Sequence, residues 1–238
     1  MSGREGEGST TNATVQGRCA CSGRGTGCSV SPDGLMELVV RHCSPTLAGL
    51  KCGNLFRMCS SAHGIPESVS YLQSRLLDRG VVMRVLETDS GDPLLYVYRP
   101  DMLLARLAEP GIVEFLSDAG YDLSSPISLV DQMSGRFLGG VPHEIGIFLG
   151  YPLADVEGYI ENGGRDCVRL GCWKAYSDPD GAERAFRMIR KCRRVYEGCL
   201  SRGTPIEKLA VRTRRQASAA SCGSTPTCAQ RLSCSPRW

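Results

Sequence analysis

Cys43 is the residue type best suited to chemistry in this chain. It follows Arg41 and His42, and a neighbouring cation favours the thiolate, the form of cysteine that acts as a nucleophile or redox group. If a helix ends at the same point, the negative end of its dipole opposes the thiolate by a similar amount, about 1 kcal/mol. A buried structural thiol is the competing expectation. His143 and Glu144 follow Pro142 at what reads as a helix start, where the dipole keeps a carboxylate charged and an imidazole neutral. A neutral histidine can accept a proton near pH 7. Residues adjacent on a helix do not face one another, however, so the pair needs a third group from elsewhere.

Lys51 and Lys174 are the candidate anion holders. Lys174 alternates with Cys172, Leu170 and Val168 in what reads as one strand ending in GCWKAY, placing an ammonium beside an apolar surface. The competing expectation is a lysine whose head reaches water at a sheet edge. Trp173, on the opposite face, could stack on a flat ligand or serve as a core tryptophan. His42, Cys43, His143 and Cys172 are all competent metal ligands, but no C-x-x-C or H-x-x-x-H spacing supports a metal site. No cofactor is identified by any motif.

The run from Asp178 carries an apolar stripe of Ala182, Ala185, Phe186, Ile189, Cys192 and Tyr196 at helical spacing. Opposite it stand Arg184, Arg187, Arg190, Lys191, Arg193 and Arg194, a basic face that would suit an acidic partner protein or an anionic ligand. The stretch PHEIGIFLGYPLADVEGYIEN, 142–162, reads as two short helices about a tight corner at Gly150, each started by a proline. Ile145, Phe148 and Leu149 face inward in the first, and Leu153, Val156 and Ile160 in the second. Such a corner resembles a DNA-binding helix-turn-helix. Its second helix carries Asp155, Glu157 and Glu161 and no cation before Arg165, which opposes phosphate contact, so nucleic acid is not the expected partner.

These residues need elements to position them. Ser31-Pro32-Asp33 starts a helix that Pro45 is expected to end, followed by an extended segment over 47–52. A helix over 66–78 follows, with Val69, Leu72, Leu76 and Leu77 inward and Gly80 as its stop. VVMRVLE and LLYVYRP, on either side of Thr88–Asp92, form the clearest hairpin, apolar on both faces and hence covered on both. Proline-started helices recur at Pro100, Pro110 and Pro126. The expected fold is α+β: a small mixed or antiparallel sheet containing the hairpin and the GCWKAY strand, covered by helices.

Composition sets the outer limits. With 238 residues, 42% of them hydrophobic, the chain can bury a sizeable core, and a net charge of +3 does not by itself imply nucleic acid or a membrane surface. No apolar run approaches the length of a spanning helix and the first residues lack the apolar segment of a secretory signal, so the expected setting is the cytoplasm, without a membrane. Thirteen cysteines are then expected to be thiols rather than disulfides. Residues 1–30 and 211–238 read as a Gly/Ser/Thr-rich arm and a Ser/Arg/Cys-bearing tail, both disordered, around a single domain over 31–210.

HCSPTLAGLK (42–51), PHEIGIFLGYP (142–152), DVEGYIEN (155–162), GCWKAY (171–176) and Lys191-Cys192 together resemble the bacterial family catalogued as domain of unknown function 3793. The resemblance covers roughly 35–210. It implies a cytoplasmic protein of mostly anaerobic bacteria and supplies no reaction. On the residues, the leading expectation is a thiol-dependent enzyme or redox accessory protein in which Cys43, Lys51, His143, Glu144 and Lys174 share one cleft. The alternative is a non-catalytic module that docks an acidic partner through its basic last helix.

Overall fold

Leu94 and Tyr96 belong to one hydrophobic core, Leu95 and Val97 to another, because alternate side chains of a strand leave its sheet on opposite faces. The computed structural model describes residues 28–59, 62–125 and 128–212. In chain order it contains β1 (Cys28–Ser29), α1 (Pro32–Leu47), β2 (Gly53–Arg57), β3 (Ala62–His63) and α2 (Ile65–Leu76), the last extended by a 3-10 turn. Then come β4 (Val82–Leu86), β5 (Leu94–Tyr98), α3 (Pro100–Leu107), α4 (Pro110–Asp118), α5 (Ser128–Arg136), α6 (Ile145–Phe148) and α7 (Leu153–Glu161). β6 (Arg169–Leu170), β7 (Lys174–Ala175), α8 (Pro179–Ser201) and α9 (Ile206–Leu209) complete it.

The fold is α+β, as its sequence indicates. A three-stranded antiparallel sheet has the order β2-β5-β4, and the expected hairpin pairs Val82 with Tyr98 and Leu86 with Leu94. One face of the sheet carries α1, α2 and α9; the other carries the apolar residues of α3 to α7 and the Trp173 segment. α8 serves both, giving Ala182, Phe186 and Ile189 to one core and Tyr196, Cys199 and Leu200 to the other. No helix among the described residues is long and apolar enough to cross a membrane.

Ser31 and Asp178 cap their helices, accepting hydrogen bonds from the backbone N–H of Gly34 and Gly181. Gly150 adopts φ 75°, the left-handed corner expected of it. Several expectations need correction. α1 passes through Pro45 to Leu47; a proline in the last turn forfeits only its own bond to the carbonyl of Arg41, and the turn survives. Residues 47–50 are therefore helix end and turn, and extended structure begins only at Gly53. Leu77 and Ile160 are 58% and 42% exposed, not inward. The first corner helix starts at Ile145, so Pro142 precedes it.

GCWKAY does not join the main sheet. The chain reverses at Gly171–Trp173, making β6 and β7 a separate two-stranded ribbon. Its reversal is pressed against α8: a Cβ on Gly171 would lie 2.2 Å from the Phe186 ring, so only glycine fits. The arm and tail expectations fall on residues outside those described, except at their inner ends. There Cys28–Ser29 pairs in parallel with Ala62–His63, and Val30 is buried, its carbonyl accepting from Ser68 Oγ.

Strand β4 is a sheet edge, and its free backbone is covered by one side chain of α2. Gln73 accepts from the Met83 N–H at 2.7 Å and donates to the Val81 carbonyl at 3.2 Å. Such pairing blunts an edge that would otherwise template another strand. Gln73→Ala is expected to lower stability by about 1–2 kcal/mol, with Gln73→Glu losing part of that because it keeps the acceptor alone. Urea unfolding of the three proteins checks this; equal midpoints would remove the role.

Candidate functional site

Lys51 is a buried amine. It follows the turn at Gly49–Leu50, which carries the chain from the end of α1 toward β2, and its side chain is folded inward to 9% exposure. Its Nζ lies 4.7 Å over the ring of Tyr151, a cation–π contact. Trp173 stacks on Tyr151 with ring centroids 5.1 Å apart, so Tyr151 meets both. Burial pulls the Lys51 pKa down to about 8, opposed by the thiols of Cys52, Cys172 and Cys43 and reinforced by the guanidinium of Arg193. No carboxylate among the described residues pairs with it.

The three thiols differ in accessibility. Cys43 is fully buried on α1, and burial pushes its thiol pKa up more than Lys51 and Arg193 lower it. The thiolate expected from the Arg41-His42 neighbours is thus suppressed, because a charge without water costs more than nearby cations return. Cys52 is also buried, its Sγ 3.5 Å from the Phe148 carbonyl. Gly53 allows that approach: a Cβ there would meet the Phe148 oxygen at 2.6 Å. Cys172, at the ribbon turn, is only half-buried; burial raises its pKa while Lys51, Arg193 and Arg190 pull it down. Of these three thiols the accessible one near cations is therefore Cys172, not Cys43.

His42 stacks on Phe56 with centroids 5.0 Å apart. Burial, then Arg193 and Arg41, pull its pKa down to about 4, so it is neutral at pH 7. Arg193 acts on His42, Cys43, Lys51 and Cys172 alike. It was expected on the outer face of α8, but it lies seven residues after Phe186, two helical turns, and so shares the buried side. That spacing was the available signal. Arg187, Arg190, Lys191 and Arg194 do face solvent.

His143 and Lys174 line a cleft with Tyr151, Asp155, Tyr159 and Trp173 among others, and neither Lys51 nor these thiols line it. His143 is exposed, its ring 5.3 Å from that of Tyr159. Glu144 turns away from it, accepting from Arg136 at 2.9 Å and from the Tyr121 hydroxyl at 3.1 Å. The two neighbours point to different surroundings and are not placed as a hydrogen-bonded pair. Lys174 is held by the Gly164 carbonyl at 2.5 Å and lies 5.8 Å from the Tyr159 ring. Because the strand is broken, it shares no face with Cys172.

Trp173 is core, not a stacking platform. Phe186 meets it edge-on at 4.6 Å, and its Nε1 donates to Asp155 Oδ2 at 2.7 Å. Asp155 itself is 3% exposed and also accepts from the backbone N–H groups of Tyr176 and Ser177 and from the Ser177 hydroxyl. The acidic residue counted against DNA binding is thus a clamp from α7 to the segment after β7; Glu157 and Glu161 remain outside. No group of three or more His, Cys, Asp or Glu among the described residues is arranged to hold a metal ion.

The sequence model of a family described as protein of unknown function (DUF3793) matches residues 39–210. No curated protein and no solved structure matches the chain.

Proposed function

We propose, for a chain that belongs to the DUF3793 family, that it is a thiol-dependent enzyme or redox accessory protein whose site takes a small anionic ligand beside Lys51 and Arg193, next to the Cys172 thiol. The observation that carries this reading is the buried ammonium of Lys51, which has Arg193 for a neighbour and no carboxylate. Burying a cation without a counter-charge opposes folding, and an anion of the carboxylate or phosphate class would supply that charge. The mainly apolar and aromatic surroundings strengthen such an attraction by lowering the local dielectric. A cytoplasmic setting keeps the thiols reduced.

Cation and thiol work together in this reading. An ammonium near Cys172 increases its thiolate fraction, and a bound anion would reduce it by competing for the same charge. Iodoacetamide labelling at pH 8, read peptide by peptide by mass spectrometry, tests both. Cys172 is expected to label in the folded protein while Cys43 and Cys52 stay protected. Lys51→Met is expected to slow Cys172 by roughly threefold to tenfold, up to about one pKa unit of lost thiolate stabilisation. Inorganic phosphate is expected to slow the wild type and leave the variant unchanged. A Cys172 rate indifferent to both Lys51 and phosphate would overturn the proposal.

A further inference from the structure

Lys51 is enclosed but not sealed, since 9% of its surface still meets solvent. Its Nζ lies 4.7 Å over the Tyr151 ring and has no hydrogen-bond acceptor among the described residues. Cys52, Cys172, Cys43 and Arg193 are the titratable groups that act on it. An ammonium brings three N–H donors to a setting that offers an aromatic face and no acceptor, whereas a neutral amine costs less there and keeps a lone pair. Burial accordingly brings the Lys51 pKa down to about 8 from 10.5, which leaves roughly a hundredfold more free amine at pH 7 than an ordinary lysine holds. For holding an anion, Arg193 is already a permanent cation, because a guanidinium does not deprotonate. What a lysine adds beside it is a nucleophile.

We infer that Lys51 forms an imine with a small oxo acid, an aldehyde or ketone whose carboxylate lies toward Arg193. The inference rests on the anion reading proposed above and names the class of ligand. The step balances without an oxidant or reductant: the lysine ammonium and the carbonyl compound give an iminium and water. A C=N bond replaces the C=O bond, two N–H protons leave on the water and the third stays on nitrogen. The iminium is positive where the ammonium was, and the carboxylate of the same ligand supplies the counter-charge. The aromatic and apolar surroundings limit the water that would hydrolyse it.

The probe is glyoxylate with sodium cyanoborohydride, which reduces an iminium to a stable secondary amine, applied to the full chain at pH 7.5 and read peptide by peptide by mass spectrometry. Lys51 is expected to be modified at least about fivefold faster than the exposed Lys191 and Lys208, its larger share of free amine outweighing its lower accessibility. The preference is expected to disappear in urea. Inorganic phosphate is expected to slow modification of Lys51 and to leave Lys191 and Lys208 unchanged. Modification of Lys51 no faster than of Lys191, or at a rate indifferent to phosphate, would overturn the inference. Iodoacetamide labelling of the same protein keeps the two readings apart: phosphate protection of Cys172 without trapping at Lys51 would overturn the oxo acid and leave the anion reading standing.

Discussion

Lys51→Met is expected to make the ligand-free protein more stable at pH 7, by about 2 kcal/mol, and the gain is expected to vanish above about pH 10. The folded protein holds the Lys51 pKa near 8, against 10.5 for the ordinary side chain. Between those values the unfolded chain binds more protons than the folded one, so stability rises with pH across that window. Below pH 8 the burden of the buried charge is complete. The full shift corresponds to about 3 kcal/mol, and losing the Tyr151 contact takes back roughly 1 kcal/mol. Urea unfolding at pH 7, 8.5 and 10 measures it. A variant less stable than the wild type at every pH would mean that the amine supports the fold. A stabilising substitution at a position the native chain leaves charged is what a binding site predicts, since sites built for a ligand are strained without it. Phosphate should accordingly raise the wild-type midpoint and not that of Lys51→Met.

Arg99→Met is expected to lower stability by about 4 kcal/mol or more, enough to unfold a marginal domain. Among the described residues Arg99 is the largest fully buried side chain, and its guanidinium forms no ion pair with a carboxylate. It donates to four carbonyls instead: Thr46 at 2.5 Å, Leu47 at 2.6 Å, Val211 at 2.7 Å and Arg79 at 3.1 Å. Two of these are terminal carbonyls of α1, where a cation also meets the negative end of the helix dipole. The others tie in the turn after α2 and the chain beyond α9. Methionine would fill the space but take away the donor of the Arg79 and Val211 carbonyls, and leave those of Thr46 and Leu47 with only the backbone N–H groups of Gly49 and Val211. Arg99→Lys should rescue little, because an ammonium on a single stem lacks the planar fork that reaches four oxygens. Thermal and urea unfolding of both variants decide it; a lysine variant within about 1 kcal/mol of wild type would show that charge, not geometry, holds the junction. The same clamp stabilises the end of α1 that leads to Lys51, so the site and the fold share this support.

The contrast between Lys51 and Arg99 shows where the sequence ceases to be legible. Both are basic residues inside apolar motifs. Arg99 donates to four carbonyls; Lys51 has no hydrogen-bond acceptor among the described residues and sits against an aromatic ring. What separates them is where the fold brings backbone carbonyls from distant parts of the chain, such as those of Thr46 and Val211 for Arg99. Cys43 and Cys172 divide in the same way. Arg41 and His42 mark Cys43 as activated, yet the packing of α1 against α2, α8 and β2 removes its water.

The local features were readable because backbone geometry sets them. Alternation revealed the β4–β5 hairpin and its two covered faces, three-and-four spacing revealed the inner stripe of α8, and Ser31, Asp178 and Gly150 mark their caps and corner by their own chemistry. Propensity over a few residues cannot see a reversal forced from outside: GCWKAY reads as one strand, but α8 pressing on Gly171 folds it into a ribbon. Tertiary packing alone decided that Asp155 turns inward, that Cys172 stays reachable, and that Lys51 is enclosed without a counter-charge. Periodicity says which side of an element is apolar, whereas the charge left uncompensated depends on what every other element brings to that side.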